Sequence, residues 1–182
     1  MSSLIIGLTG ERFAGKDEVA EYLVKKFQAD HIKYSQVLDE ILESLGLPIT
    51  RRNEIDLGLS LRQAFGEDIL WGGMLKRIKQ SWSGLVIING IRFKNEFDNV
   101  KRIGGKIIYV TAPQNLLFER SKLRKEKDDD GLLTLEAFKK QESELTEFGI
   151  PALGAEADFK IENTGSLEEL YKKVEEVVPN FK

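Results

Sequence analysis

Residues 4–24 read Leu-Ile-Ile-Gly-Leu-Thr-Gly-Glu-Arg-Phe-Ala-Gly-Lys-Asp-Glu-Val-Ala-Glu-Tyr-Leu-Val. The apolar run Leu4–Leu8 is too short for a helix and rich in β-formers, so it reads as a buried strand. Gly10, four residues, then Gly15-Lys16 follow. Beyond Lys16, Ala20, Leu23, Val24 and Phe27 recur at helical spacing, which predicts a helix starting near Gly15. Strand, glycine-framed loop, lysine and helix make a phosphate-binding P-loop, or Walker A motif. The glycines let the backbone curl so that N–H groups of Gly10, Glu11, Arg12, Phe13, Ala14, Gly15 and Lys16 converge on one hollow. The helix N-terminus adds partial positive charge, and Lys16 is placed to reach a β- or γ-phosphate. The plainer alternative is a tight turn that happens to carry Gly and Lys.

After the lysine a hydroxyl residue usually holds Mg²⁺; here Asp17 and Glu18 stand instead. Asp17 is either a first-turn acid favoured by the helix dipole or a carboxylate placed directly on the metal, since hard cations accept either oxygen.

Outward from this stretch, strands and helices alternate to the end of the chain. Strands are expected at 31–34, 84–89, 106–111 and 157–162. Helices are expected from Ser35 as cap, over 57–65 and 67–82, after Arg92, from Pro113 to about Lys125, and from Thr134 to about Phe148. Residues 48–57 read as a polar connection and Gly149-Ile150-Pro151 as a break. Ser166-Leu167-Glu168-Glu169 is a capping box that opens the last helix, with Leu167, Leu170, Tyr171, Val174, Val177 and Val178 on its apolar face. The alternation predicts an α/β fold with a parallel sheet and helices on both faces. Ligands in such sheets bind at the carboxyl ends of the strands. Gly10–Lys16, Asn89–Arg92, Thr111 and Asn163 should therefore meet on one rim.

The 182 residues are expected to form one domain, 1–182, and the net charge of −3 comes from intermixed acids and bases, so nucleic acid is not an expected partner. The absence of cysteine excludes disulfides and thiolate metal sites and fits a reducing cytoplasm, and the lone His31 cannot anchor a zinc site by itself. No apolar run approaches a membrane span and no signal peptide is read. Trp71, Met74 and Trp82 are either core or interface, and the oligomeric state stays open.

Phosphoryl transfer needs positive charge around phosphate oxygens, a metal and in-line placement, so arginines on the rim are the next candidates. Arg92 follows the buried strand at once and Arg62 sits on a helix before it. Arg120 and Arg124 are four apart on one helix face, with Lys127 on the same face if the helix continues. The alternatives are a solvated helix end for Arg120, Arg124 and Lys127, an ion pair with Glu96 for Arg92, and an ion pair with Glu67 or Asp68 for Arg62. At Asn89, where P-loop proteins often carry an Asp that orders the Mg²⁺ shell, the chain has an amide. Asp17 would supply the missing charge from the other side of the ion.

Three segments carry a resemblance. Gly7-Leu-Thr-Gly-Glu-Arg-Phe-Ala-Gly-Lys-Asp17 is similar to the P-loop of phage-type deoxynucleoside monophosphate kinases. Val86-Ile-Ile-Asn-Gly-Ile-Arg-Phe-Lys-Asn-Glu96 resembles their strand followed by Arg-x-x-x-Glu. Ala157–Ser166 followed by Leu170 resembles a closing strand and helix shared with dephospho-CoA kinases. The resemblance implies a three-layer kinase fold with sheet order 2-3-1-4-5, a helical acceptor-binding insertion at about 35–83 and a lid at about 119–148. It implies ATP and Mg²⁺ as cofactors, with ATP phosphates on residues 10–17. Arg62, Arg92 and Glu96 would sit at the acceptor, Arg120 and Arg124 in the lid, and Asn163 by the adenine. The implied activity is phosphoryl transfer to a (deoxy)nucleoside monophosphate. Dephospho-CoA as acceptor, or an ATP-binding switch with weak turnover, are the alternatives.

Overall fold

The computed structural model describes residues 4–123 and 145–178. Five strands form one parallel sheet: β1 (Leu4–Thr9), β2 (Asp30–Lys33), β3 (Leu85–Ile91), β4 (Lys106–Thr111) and β5 (Phe159–Glu162), in the order β2-β3-β1-β4-β5. The expected order is observed, with β1 hydrogen-bonded between β3 and β4. Alternation along each strand divides its side chains between two cores. Ile6, Leu8, Ile87, Ile108 and Val110 join one, and Ile5, Val86, Ile88, Ile107 and Tyr109 join the other. Burial on both faces is why these strands read as continuous apolar runs rather than alternating ones.

On the first face, α1 (Lys16–Phe27) contributes Val19, Ala20 and Leu23, and α6 (Gln114–Leu123) contributes Leu117. The final helix of the described residues, Leu167–Val177, adds Leu170 and Val174. Its capping box forms as expected, Ser166 accepting from the Glu169 amide and Glu169 from the Ser166 amide. Leu167, expected on the apolar face, is instead exposed, and Tyr171 stacks on Tyr22 with ring centroids 4.2 Å apart.

The second face is covered by α2 (Tyr34–Ser44), α4 (Ile69–Gln80), α5 (Lys94–Arg102) and, numbered in chain order after the short α7 (Leu145–Phe148), α8 (Ile150–Glu156). Trp71 and Met74 are core residues here; Trp82 is wholly exposed. The break expected at 149–151 is real, but a second helix follows it, because Pro151 suits a helix's first turn and Ile150 and Leu153 are buried. Tyr34, read as the end of a strand, opens α2. Gln36 rather than Ser35 serves the cap, its Oε1 accepting the Lys33 amide at 2.9 Å.

The largest difference from the sequence reading lies at α3 (Arg51–Phe65), which begins six residues before its expected start and replaces the polar connection. Its buried stripe is Glu54, Gly58 and Arg62, spaced by four. That face lines a polar cleft, so hydrophobic periodicity could not reveal it. Thr50 starts the helix, its Oγ1 accepting the Asn53 amide at 3.2 Å. Among the described residues no helix is long and apolar enough to cross a membrane.

Since Thr50 satisfies a first-turn donor of α3, Thr50→Ala should lower stability by about 1 kcal/mol and Thr50→Ser by much less, read from urea denaturation midpoints.

Candidate active site

The carboxyl ends of β1, β3, β4 and β5 meet as expected. Gly10 follows β1 with φ +146°, and a side chain there would lie 1.9 Å from the Val110 carbonyl oxygen of β4, so only glycine fits. Phe13 is held in the left-handed region at φ +61°, an unusual conformation for an aromatic residue and one that collects at functional loops. Gly15 precedes α1 at φ +103° with no side-chain cap, which leaves first-turn N–H groups available to an anion. Behind the loop, Asn163 Nδ2 donates to Ala14 O at 2.9 Å, and the Asn163 amide donates to Thr111 O at 2.7 Å.

Lys16 folds back under this loop. Its Nζ donates to Gly10 O at 2.8 Å and Glu11 O at 2.7 Å. Burial, then the nearby Arg92 charge, pulls its pKa down to about 7 against the opposing fields of Glu147, Asp17 and Glu11. Glu11 itself turns away from the hollow, accepting the Tyr109 hydroxyl. Glu18 is a half-buried acid in the first turn of α1.

Asp17 and Asn89 come together. Asn89 Nδ2 donates to Asp17 Oδ1 at 2.9 Å and lies 3.2 Å from His31 Nε2, while Lys33 Nζ reaches the same Asp17 oxygen at 2.7 Å. Asn89 lies level with Leu8 and with Lys33, the last residue of β2, and β3 runs two residues further than expected. Leu8 pairs with Asn89 and Thr9 with Ile91, so Gly90 at φ +86° is the extra residue of a bulge, and Thr9 Oγ1 donates to Ile91 O at 2.9 Å. The Asn89 Oδ1 atom is buried with no hydrogen-bond partner. One carboxylate for the ion, with an orphaned acceptor beside it for a metal-bound water, suits Mg²⁺, which binds through one or two protein oxygens and keeps waters and phosphate oxygens for the rest. Among the described residues no cluster of three or more His, Cys, Asp or Glu could hold a metal by itself.

The loop opens into a cleft of about 310 Å³ between the sheet edge and helices α2 and α3. Six basic side chains line it, Arg12, Lys16, Lys33, Arg51, Arg62 and Arg92, against the four acids Asp17, Glu54, Glu96 and Glu147, leaving a cationic surplus for an anionic ligand. Arg62 is buried. Its Nη2 pairs with Glu96, its Nη1 donates to Gly58 O at 3.1 Å, and its guanidinium lies 4.3 Å from the Phe93 ring centroid. Its partner is therefore Glu96 rather than Glu67 or Asp68. Glu96 also accepts the Arg92 amide at 2.8 Å and the Phe93 amide at 3.2 Å. Burial pushes the Glu96 carboxyl up, opposed by Arg62 and those two amides. The Arg92 side chain leaves Glu96 to Arg62 and pairs with Glu147, which also takes Arg51 Nη2 at 2.8 Å.

Arg120 lies outside this lining. Its guanidinium donates to Phe13 O at 3.4 Å and Asn163 O at 3.0 Å, on the far side of the loop, and desolvation lowers its pKa. Arg124, Lys127, the Thr134 helix before Leu145 and most of the expected lid lie outside the described residues. Sequence reasoning passed over Arg51, Glu54, Lys33, Tyr34 and Glu147. Only Arg51 had a usable signal, the Thr50 cap immediately before it.

A curled glycine loop, a buried lysine and a cationic cleft at the mouth of a 2-3-1-4-5 sheet define a P-loop NTPase fold of the kinase-like kind. The fold is similar to that of a shikimate kinase from Bacteroides thetaiotaomicron, with TM-score 0.66 and 16% identity over 97% of this chain and 98% of that one. A family model described as an AAA domain matches residues 6–146. A UPF0200 protein of Thermococcus gammatolerans is 31% identical over 185 residues, 96% of this chain and 94% of that protein. A UPF0200/UPF0201 protein of Archaeoglobus fulgidus is 27% identical over 179 residues, and this chain spans about half its length, 54%. The chain belongs to the AAA-domain family and, with the Thermococcus protein, to the UPF0200 family.

Two outcomes test the site's electrostatics. Glu96→Ala should cost about 3–5 kcal/mol in chemical denaturation, because it strands the buried Arg62 guanidinium. For Lys16, the folded pKa of about 7 lies below the unfolded value of 10.5, so unfolding takes up a proton between them and stability from this group rises with pH across that window. The stability advantage of Lys16→Met over wild type should be largest below about pH 7 and shrink toward about pH 10. Equal advantages at both ends would contradict the burial of a titrating ammonium.

Proposed function

We propose that the protein is a Mg·ATP-dependent phosphotransferase acting on a small phosphorylated acceptor, foremost a (deoxy)nucleoside monophosphate. The observation that carries this reading is that Lys16 and four arginines, Arg12, Arg51, Arg62 and Arg92, line one cleft beside the P-loop. That is the charge distribution needed to bring two phosphate groups together. The motif resemblance to phage-type deoxynucleoside monophosphate kinases supports the same acceptor class.

In this reading the amides of residues 10–17 and the α1 N-terminus bind the donor phosphates, and Lys16 leaves the Gly10 and Glu11 carbonyls for the oxygens of the transferring group. Arg92 and Arg51 hold the acceptor's anion. Arg62, fixed by Glu96 and Phe93, presents a rigid cationic wall. Arg120 braces the loop from behind through Phe13 and Asn163, and with Arg124 it belongs to the lid side, where Asn163 borders the adenine. Mg²⁺, held on the side of Asp17 and Asn89, would neutralise charge on the phosphates. Dephospho-CoA is the second acceptor. A slow ATP-binding switch is favoured by one observation, that the Asp17 carboxylate is already paired with Lys33 while Asn89 brings no charge.

ADP release from Mg·ATP, followed with a panel of nucleoside monophosphates and dephospho-CoA, decides among these. Acceptor-stimulated ADP supports transfer, and slow acceptor-independent ADP supports the switch. Lys16→Ala should reduce transfer by about 10²-fold or more, as expected for loss of a preorganised charge at the reacting group. Wild-type rates in that variant would sink the assignment.

A further inference from the structure

Glu147 stands in the cleft where an anion would be expected. It lies on the short helix α7, and its side chain is only 5% exposed. Oε1 accepts Arg51 Nη2 at 2.8 Å and Oε2 accepts Arg92 Nη1. Of the acidic groups acting on Lys16, it exerts the largest pull. Guanidinium groups from α3 and from the segment after β3 thus converge on one carboxylate, whose field also reaches Lys16.

Two other carboxylates of the cleft differ. Glu96 is tied to the backbone, since it accepts the Arg92 and Phe93 amides besides pairing with Arg62. Asp17 shares an oxygen between Lys33 and Asn89. The hydrogen bonds of the Glu147 carboxylate run to two guanidinium groups, planar forks suited to carboxylate and phosphate alike.

We infer that Glu147 is a built-in competitor for the acceptor's anion, so that the site selects dianionic phosphate monoesters over carboxylates and neutral acceptors. The inference rests on the reading of this cleft as the acceptor site. Exchanging Glu147 for another monoanion returns the same pairing and gains little. A phosphate monoester carries about −1.5 to −2 charges at neutral pH and three acceptor oxygens. It can bridge both arginines and draw on Lys16 as well, and so displaces the carboxylate. A neutral acceptor leaves Glu147 in place.

The test is calorimetric titration without ATP, using inorganic phosphate, deoxythymidine monophosphate and acetate as probes, on wild type and Glu147→Gln. The variant should bind phosphate and the monophosphate at least about tenfold tighter and gain measurable acetate binding, because two guanidinium groups are released from an internal rival. Unchanged or weaker phosphate binding by a variant with a wild-type melting profile would overturn the inference, leaving Glu147 as a brace for the arginines. Should Glu147→Gln not fold, amide exchange on the wild type decides. Saturating phosphate should speed exchange in the peptide containing Glu147 and Phe148 as the carboxylate leaves, and added protection there would overturn the inference. The two readings separate cleanly. A protein with the Glu147-dependent affinities that transfers nothing from ATP loses the kinase reading alone. One that transfers, but whose acceptor KM is unmoved by Glu147→Gln, loses this inference alone.

Discussion

An ammonium group moved out of water must find polar partners, or it costs several kcal/mol. Lys16 meets this demand with two carbonyls of its own loop, Gly10 O and Glu11 O, and the demand shapes everything around it. For those carbonyls to face inward, the chain must reverse at Gly10, pass through a left-handed Phe13 and turn again at Gly15. Two strands on one side of β1 hold this path in place. The Val110 carbonyl of β4 lies so close to Gly10 that no side chain fits, and Asn163, just past β5, ties Ala14 down. The loop's shape therefore depends on β1 lying between β3 and β4 with β5 beyond, which is the observed order. Fold and phosphate site are one constraint seen at two scales.

The cleft extends the same logic. Its arginines are buried or partly buried, and each pairing described fixes a direction as well as a charge. Glu96 shows this best. One carboxylate holds the Arg62 guanidinium and the two amides that begin α5, so the backbone leaving β3 and the side chain arriving from α3 are set by a single group. Buried ion pairs seldom add much net stability over apolar replacements, though losing one partner is costly. Their value here is positional, since a guanidinium clamped by Glu96 and stacked on Phe93 has little freedom left to lose when a ligand binds.

How much of this was legible in the sequence follows from what kind of signal each part leaves. β1, β3 and β4 bury both faces and so announce themselves as apolar runs, and the P-loop and the Ser166–Glu169 capping box carry fixed spacing; the polar edge strands β2 and β5 were placed only to within one or two residues. The start of α3 was missed, because its buried stripe, Glu54, Gly58 and Arg62, faces a polar cleft and resembles a loop to any hydrophobic template. The arginines Arg62 and Arg92 were recognisable as rim candidates, yet their partners were not. Glu96, four residues from Arg92, offered itself as the alternative partner of that arginine, whereas tertiary packing gives its ion pair to Arg62, thirty-four residues distant. Glu147 left no trace at all. A lone acid on a four-residue helix has no periodicity, and its importance arises only when α3 and the end of β3 bring two arginines to it.

The Asp17–Asn89 pair sets where negative charge lies beside the loop. A carboxylate at the end of β3 would stand against Asp17, and two acids at hydrogen-bond distance cannot both stay ionised without a cation between them. The amide removes that conflict. Its Nδ2 is committed to Asp17, with His31 3.2 Å away, which fixes the direction of its Oδ1. Lys33 reaches the same Asp17 oxygen at 2.7 Å and stands as its counter-ion. The exchange has a physical consequence for the proposed chemistry. Negative charge shifts from the strand end to the first turn of α1, where the helix dipole favours it. The strand end contributes only a neutral acceptor with no protein partner, a group that asks for a water or a metal-bound water rather than for the ion itself.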